Sequence, residues 1–163
     1  VRKNALYFCF RFYFILYTIP ILMPKRLSRG EMYCTSIFAI LLNVFVDIYL
    51  DLKLDLYGYF HKGVDYQMVI VLIGIFPPIS MIYLNSFPYD GKLFTKISYI
   101  FIWTIISIIY DFCSVKSGLL YYRKWSLFYS ALCYPFSLTF AYLKLRLIRW
   151  LARNDGMWKR KYD

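Results

Sequence analysis

Five runs of apolar residues recur along the 163-residue chain, and they restrict the folds open to it more than any motif does. They cover residues 5–23, 35–50, 67–84, 97–115 and 127–143, about 16 to 19 residues each. A helix rises about 1.5 Å per residue, so each run comes close to crossing a hydrocarbon core of about 30 Å. Membrane strands would instead alternate apolar and polar residues over about ten positions, and these runs are nearly continuous. The pattern predicts an all-α integral membrane bundle of five transmembrane helices, residues 1–151, with a basic cytoplasmic tail over residues 152–163. A soluble five-helix bundle would need polar outer faces, which the runs lack. At 61% hydrophobic residues the chain also lies above the roughly 45–50% of soluble domains. Arg11 inside the first run leaves a four-span arrangement open.

The net charge of +11 is concentrated at the C-terminus. Lys144, Arg146, Arg149 and Arg153 follow the fifth run directly and are expected to contact anionic lipid headgroups, each at about 1 kcal/mol near the surface. Nucleic-acid binding is not expected, because nothing beside this cluster could read a groove or stack on bases. Basic residues accumulate on the cytoplasmic side of membrane proteins. With five spans, twelve of them fall on the C-terminal side and seven on the other, Arg11 set aside. The C-terminus is therefore expected inside and the N-terminus outside. No small-residue cleavage site follows the first run, so it is expected to be retained.

Four cysteines without CxxC spacing and a single histidine, His61, offer no zinc or disulfide framework. The cysteines read as small buried hydrophobes, and no cofactor is expected. Pro77, Pro78 and Pro135 each remove a backbone donor and should bend the third and fifth helices. Tyr57, Tyr59, Phe60, Tyr121, Tyr122, Trp125 and Tyr129 sit where an interfacial aromatic belt would, although such a cluster could also line a pocket. Beyond the fifth run, Leu143, Leu147, Trp150 and Leu151 share one helical face, which suggests a helix continuing into the interface.

Polar or small residues form a stripe on three helices: Ser36, Asn43, Asp47 and Asp51 on the second, Thr104, Ser107, Asp111, Ser114 and Gly118 on the fourth, Ser126, Ser130, Cys133, Ser137 and Ala141 on the fifth. Such stripes let helices approach and hydrogen-bond in the bundle interior. In the expected orientation Asp47 and Asp111 reach similar depth, about 6–8 Å below the outer ends of their helices, and can meet. Asp47, Asp51 and Asp55 are spaced by four and would repel one another along one face. A bound cation, a shared proton, or pairing to Lys53 and Lys116 would relieve this. The candidate site therefore comprises Asp47, Asp51, Asp55, Asp111, Lys53, Lys116 and His61, with any metal undefined.

The run Asp47-Ile-Tyr-Leu-Asp51-Leu-Lys53, then Leu56-Tyr-Gly-Tyr-Phe60, Gly63-Val-Asp65, Asn85-Ser-Phe-Pro88 and Lys116-Ser-Gly118, with Tyr121, Tyr122, Trp125, Tyr129, Ser130, Tyr134 and Pro135, resembles an uncharacterised family of small multi-pass membrane proteins from spore-forming Firmicutes. The resemblance covers about residues 25–151; position 111 is a glutamate in that pattern and an aspartate here. It implies a bacterial cell membrane and supplies no activity, substrate or catalytic residue.

Two functions from different classes are expected to compete. One is binding or movement of a proton or small cation at the outward carboxylate cluster. The other is a non-catalytic accessory or structural role in envelope or sporulation physiology, packed against a membrane-protein partner. Enzymatic activity is less expected, because no nucleophile elbow, phosphate loop or metal-binding aspartate motif is present.

Overall fold

The computed structural model describes the backbone of residues 2–59 and 66–154, and the side chains of 11–59 and 73–154. It is all-α apart from one minimal two-stranded sheet, as the continuous apolar runs require. Its helices are α1 (Arg2–Leu22), α2 (Arg29–Asp47), α3 (Tyr66–Asn85), α4 (Leu93–Ser117) and α5 (Leu127–Asn154). Each apolar run falls on one of them. Helix α2 is prolonged by a π-helical turn over Ile48–Lys53. Strands β1 (Tyr57–Tyr59) and β2 (Leu120–Tyr122) pair antiparallel, Tyr57 opposite Tyr122. Helix α2 packs on α3, α3 on α1, α1 on α4 and α4 on α5, while α5 returns to touch α2 and α3.

Among the described residues two helices are long and apolar enough to cross a membrane: Arg29–Lys53, with mean hydropathy 1.8, and Leu93–Ser117, with 1.7. Helix α5 is longer, but its tyrosines and Lys144 dilute its hydropathy. Burial is inverted relative to a soluble domain. Phe94 is 80% exposed and Phe136 77%, while Glu31 retains 3% and Asp47 2%. Water would drive those phenylalanines inward and the acids outward.

Local chemistry explains where the helices begin and end. Ser28 caps α2 by accepting from the Glu31 amide, and the Glu31 carboxylate accepts from the Ser28 amide at 2.7 Å, a reciprocal capping box. Helix α4 ends at Gly118, whose φ of 79° is left-handed and suits a residue without a Cβ. The amides of Gly118 and Leu119 then return to the carbonyls of Val115 and Ser114, which turns the chain directly into β2. Pro77 and Pro78 lie within α3 and Pro135 within α5, and both helices continue through them.

Two cores hold the bundle, one at each end. At the end that carries the sheet Leu16, Ile75 and Leu119 are buried against Phe12, Tyr59 and Tyr110. At the opposite end Leu27, Tyr83, Leu84, Phe87 and Leu145 are buried among further aromatic rings. There Phe87 stacks on Tyr142 at a centroid distance of 4.4 Å. The Asn85 side chain accepts from the Arg26 and Leu27 amides and donates to the Pro24 carbonyl, fastening the α1–α2 connection to the end of α3. Three cysteine side chains are described and all are free; Cys34 and Cys133 lie on the exterior, which corrects the expectation that they are buried. Both sit on helix faces turned away from the two cores.

Candidate functional site

The two-stranded sheet joins two segments far apart in sequence, the chain leaving α2 and the chain leaving α4, and so sets a cross-strand tyrosine pair over the bundle end. Side chains directly opposite in an antiparallel pair lie on the same face. Tyr57 donates from its hydroxyl to Asp47 Oδ1 at 2.6 Å. Tyr122, its register partner, donates to Asp111 Oδ2 at 3.1 Å. Tyr134, reaching from α5, donates to Asp111 Oδ1 at 2.6 Å. Asp47 and Asp111, on different helices, are thus held from one two-stranded sheet and, for Asp111, from α5. Trp125 packs its edge near Tyr57 and donates from Nε1 to Ser130 Oγ, closing the side toward α5.

The phenols are fixed as donors. Burial pushes the Tyr57 hydroxyl well above its ordinary range, and the neighbouring Asp47 carboxylate adds to this. Burial also pushes Tyr122 up to about 12, although a bond with Ser130 works the other way, and Asp111 reinforces the rise. One oxygen of Asp47 is left over. Asp47 Oδ2 is buried and meets no donor among the described residues, and Ser114 Oγ, three residues beyond Asp111, is equally buried and unmatched. Buried polar atoms without partners are costly, so two at one end of a bundle are informative.

The acidic residues divide into two groups. Asp47, Asp51 and Asp111 are buried, whereas Asp55 lies beyond the π-helical turn at φ 52° and forms an ion pair with Arg123. The expected stack of Asp47, Asp51 and Asp55 on one helical face is therefore broken after Asp51, because the helix ends there. Lys53 and Lys116 do not take the relieving role considered for them. Each is exposed with its ammonium over an aromatic ring, Lys53 over Tyr49 at 4.9 Å and Lys116 over Phe112 at 5.7 Å. Arg123 supplies the cation instead. His61 lies outside the described residues, as does Asp65.

The stripe on α4 turns inward at Thr104, Asp111 and Ser114. That on α5 does so only in part: Ser130 is buried, while Cys133 and Ser137 are exposed. Ser36, Asn43, Thr104 and Ser107 each donate to a carbonyl of the preceding turn of their own helix, so they do not bridge helices in the way expected.

At the opposite end the four basic residues expected at lipid headgroups also divide. Arg149 is held internally: Nε donates to Glu31 Oε1 at 2.6 Å, and its guanidinium stacks over Tyr89 at 4.5 Å. Lys144 donates to the Cys34 carbonyl at 3.2 Å and lies over Phe38. Arg146 and Arg153 are exposed. Residues 155–163 of the basic tail lie outside the described residues.

Sequence reasoning missed the roles of Tyr57, Tyr122 and Tyr134 as carboxylate partners, and missed Glu31 altogether. For Glu31 the signal was present, since Ser28 followed three residues later by Glu31 is a capping box. Two apolar clefts occur elsewhere, about 570 Å³ between α2 and α5 and about 270 Å³ between α1 and α3, and neither is lined by the acids. Among the described residues no three His, Cys, Asp or Glu side chains are arranged to hold a metal ion. Comparison with protein-family models, curated proteins and solved structures finds no match to this chain.

Proposed function

We propose that the chain is a five-span protein of a bacterial cell membrane, with its N-terminus outside and its C-terminus in the cytoplasm, and that it binds a proton at the Asp47–Asp111 centre near its outer end. The observation that carries this reading is Asp47 Oδ2, a buried carboxylate oxygen that meets no donor among the described residues although its sister oxygen accepts from Tyr57. A proton taken up there removes the charge and makes the group a donor in its turn. Intramembrane acids that lack a basic partner serve proton and ion sites more readily than packing. The proton is favoured over a metal ion because the partners of the two acids are tyrosine hydroxyls, and among the described residues no three His, Cys, Asp or Glu side chains are grouped to hold a metal. No covalent chemistry is assigned.

Proton counting tests the reading. Purified protein in detergent micelles is titrated with a pH electrode, wild type against Asp47→Asn. Between about pH 6 and pH 9, where ordinary carboxylates are already ionised, the wild type should take up a proton that the variant does not, with a titration curve altered in Asp111→Asn. Superimposable curves for wild type and Asp47→Asn would remove the proton site.

The same bonds favour a second reading, an accessory membrane protein in envelope or sporulation physiology. Tyr57, Tyr122 and Tyr134 tie α2, α4, α5 and the two-stranded sheet into one unit, as a structural clasp would. A variant that loses fold stability while its proton count is unchanged would support the clasp alone. The resemblance to the spore-former family accords with either role.

A further inference from the structure

The cleft of about 570 Å³ between α2 and α5 is lined by Leu42 on α2 and by residues of α5 from Pro135 to Leu143. It follows about 12 Å of α5, from the rise of 1.5 Å per residue. Its lining is apolar apart from the hydroxyls of Ser137 and Thr139. Phe140 of the lining packs against Phe38, with ring centroids 5.5 Å apart. Over the Phe38 ring sits the Lys144 ammonium, 3.2 Å from the centroid. Its hydrogen bond goes to a backbone carbonyl, Cys34, and no ion pair joins it to a carboxylate among the described residues. Arg149, only five residues further along, has its carboxylate in Glu31.

An ammonium without a counter-ion beside an apolar trough is complementary to one kind of molecule in a bilayer, a chain with an anionic head. From this we infer that the α2–α5 groove is a docking site for an anionic glycerophospholipid, an acyl chain lying along Leu42, Phe136 and Phe140 and the phosphate meeting Lys144. Lysine suits this role because three donors on a flexible stem can keep the Cys34 carbonyl and still turn one N–H to a phosphate oxygen. The volume is within the roughly 300–1,000 Å³ of clefts that hold small molecules. The other apolar cleft is lined by Lys25 as well, but Lys25 is fully exposed on a connecting segment and has no ring beneath it to fix its place.

This site rests on the membrane reading above, and native mass spectrometry separates the two. The full chain is reconstituted in vesicles of phosphatidylglycerol and phosphatidylcholine, re-extracted in mild detergent and weighed with retained lipid. The wild type should carry phosphatidylglycerol in preference, and both Lys144→Gln and the groove-filling Leu42→Trp should lose one such adduct. Lys92→Gln, an exposed basic residue at the same end but off the groove, should keep it. Retention of the adduct in either Lys144→Gln or Leu42→Trp, or its equal loss in Lys92→Gln, would overturn the site. A dimer mass that disappears in Leu42→Trp would also overturn it, by giving the groove to a second copy. Failure of the wild type to stay with vesicles after an alkaline carbonate wash would instead sink the membrane reading itself.

Discussion

Tyr57 and Tyr122 face each other across the two-stranded sheet, and each donates to a different buried aspartate, Asp47 at 2.6 Å and Asp111 at 3.1 Å. One cross-strand pair thus positions two acids carried by separate helices. Three residues of strand on each side suffice, because the helices α2 and α4 bring the strands to the same end of the bundle.

Removing a hydroxyl should expose that dependence. Tyr57→Phe leaves both Asp47 oxygens buried without a donor, a loss of about 1–3 kcal/mol. The double variant Tyr57→Phe/Asp47→Leu should lose less than the two single changes summed, since no polar group is then stranded. Thermal unfolding in detergent micelles measures all three.

The opposite end is expected to respond more strongly to charge. Glu31 is 3% exposed and its ion pair with Arg149 lies against Tyr89. Arg149→Ala should cost about 3 kcal/mol, the low end for breaking a buried pair because Arg149 keeps some contact with solvent. Glu31→Gln should cost less, because glutamine still caps the Ser28 amide. If both variants unfold at the wild-type temperature, the pair contributes nothing to stability.

Alkaline pH should weaken the end that carries the sheet. Folded Tyr122 keeps its proton up to about 12, pushed there chiefly by burial, while an unfolded tyrosine releases it near 10.0. Between those values the folded state binds more protons, so stability falls as pH rises through the window. Below it, this group gives no pH dependence. Tyrosinate absorbance followed beside unfolding should show the loss in wild type and a smaller one in Tyr122→Phe.

Helix α1 is held by a close approach that leaves no room for a side chain. A Cβ on Gly74 of α3 would overlap the Tyr13 ring of α1. Gly74→Val should therefore cost about 1–3 kcal/mol through overpacking. Pairing it with Tyr13→Ala should recover part of that loss. Unfolding measurements that find the single variant as stable as wild type would contradict the packing described.

Much of this was legible in the sequence where one helix carries the information. Five apolar runs became five helices, and Asp47 and Asp111, singled out by their position within those runs, are both buried. What stayed hidden depends on distant contacts. Residues 57–59 and 120–122 carry no signal for each other, since short strands are specified by the partner and not by propensity. The π-helical turn at Ile48–Lys53 and the left-handed Asp55 took Asp55 away from the expected stack and toward Arg123. Lys53 and Lys116 looked like natural partners by proximity along the chain, yet aromatic neighbours one helical turn away hold them.

The central claim is that Asp47 exchanges a proton at the bundle's outer end, and infrared difference spectroscopy against pH tests it most directly. Protein in lipid should show a carboxyl stretch that appears on acidification and vanishes on alkalinisation. That band should be absent in Asp47→Asn and shifted in Tyr57→Phe, which removes the hydrogen bond to Oδ1. A titrating carboxyl band unchanged in Asp47→Asn, or no such band in the wild type, would contradict the account.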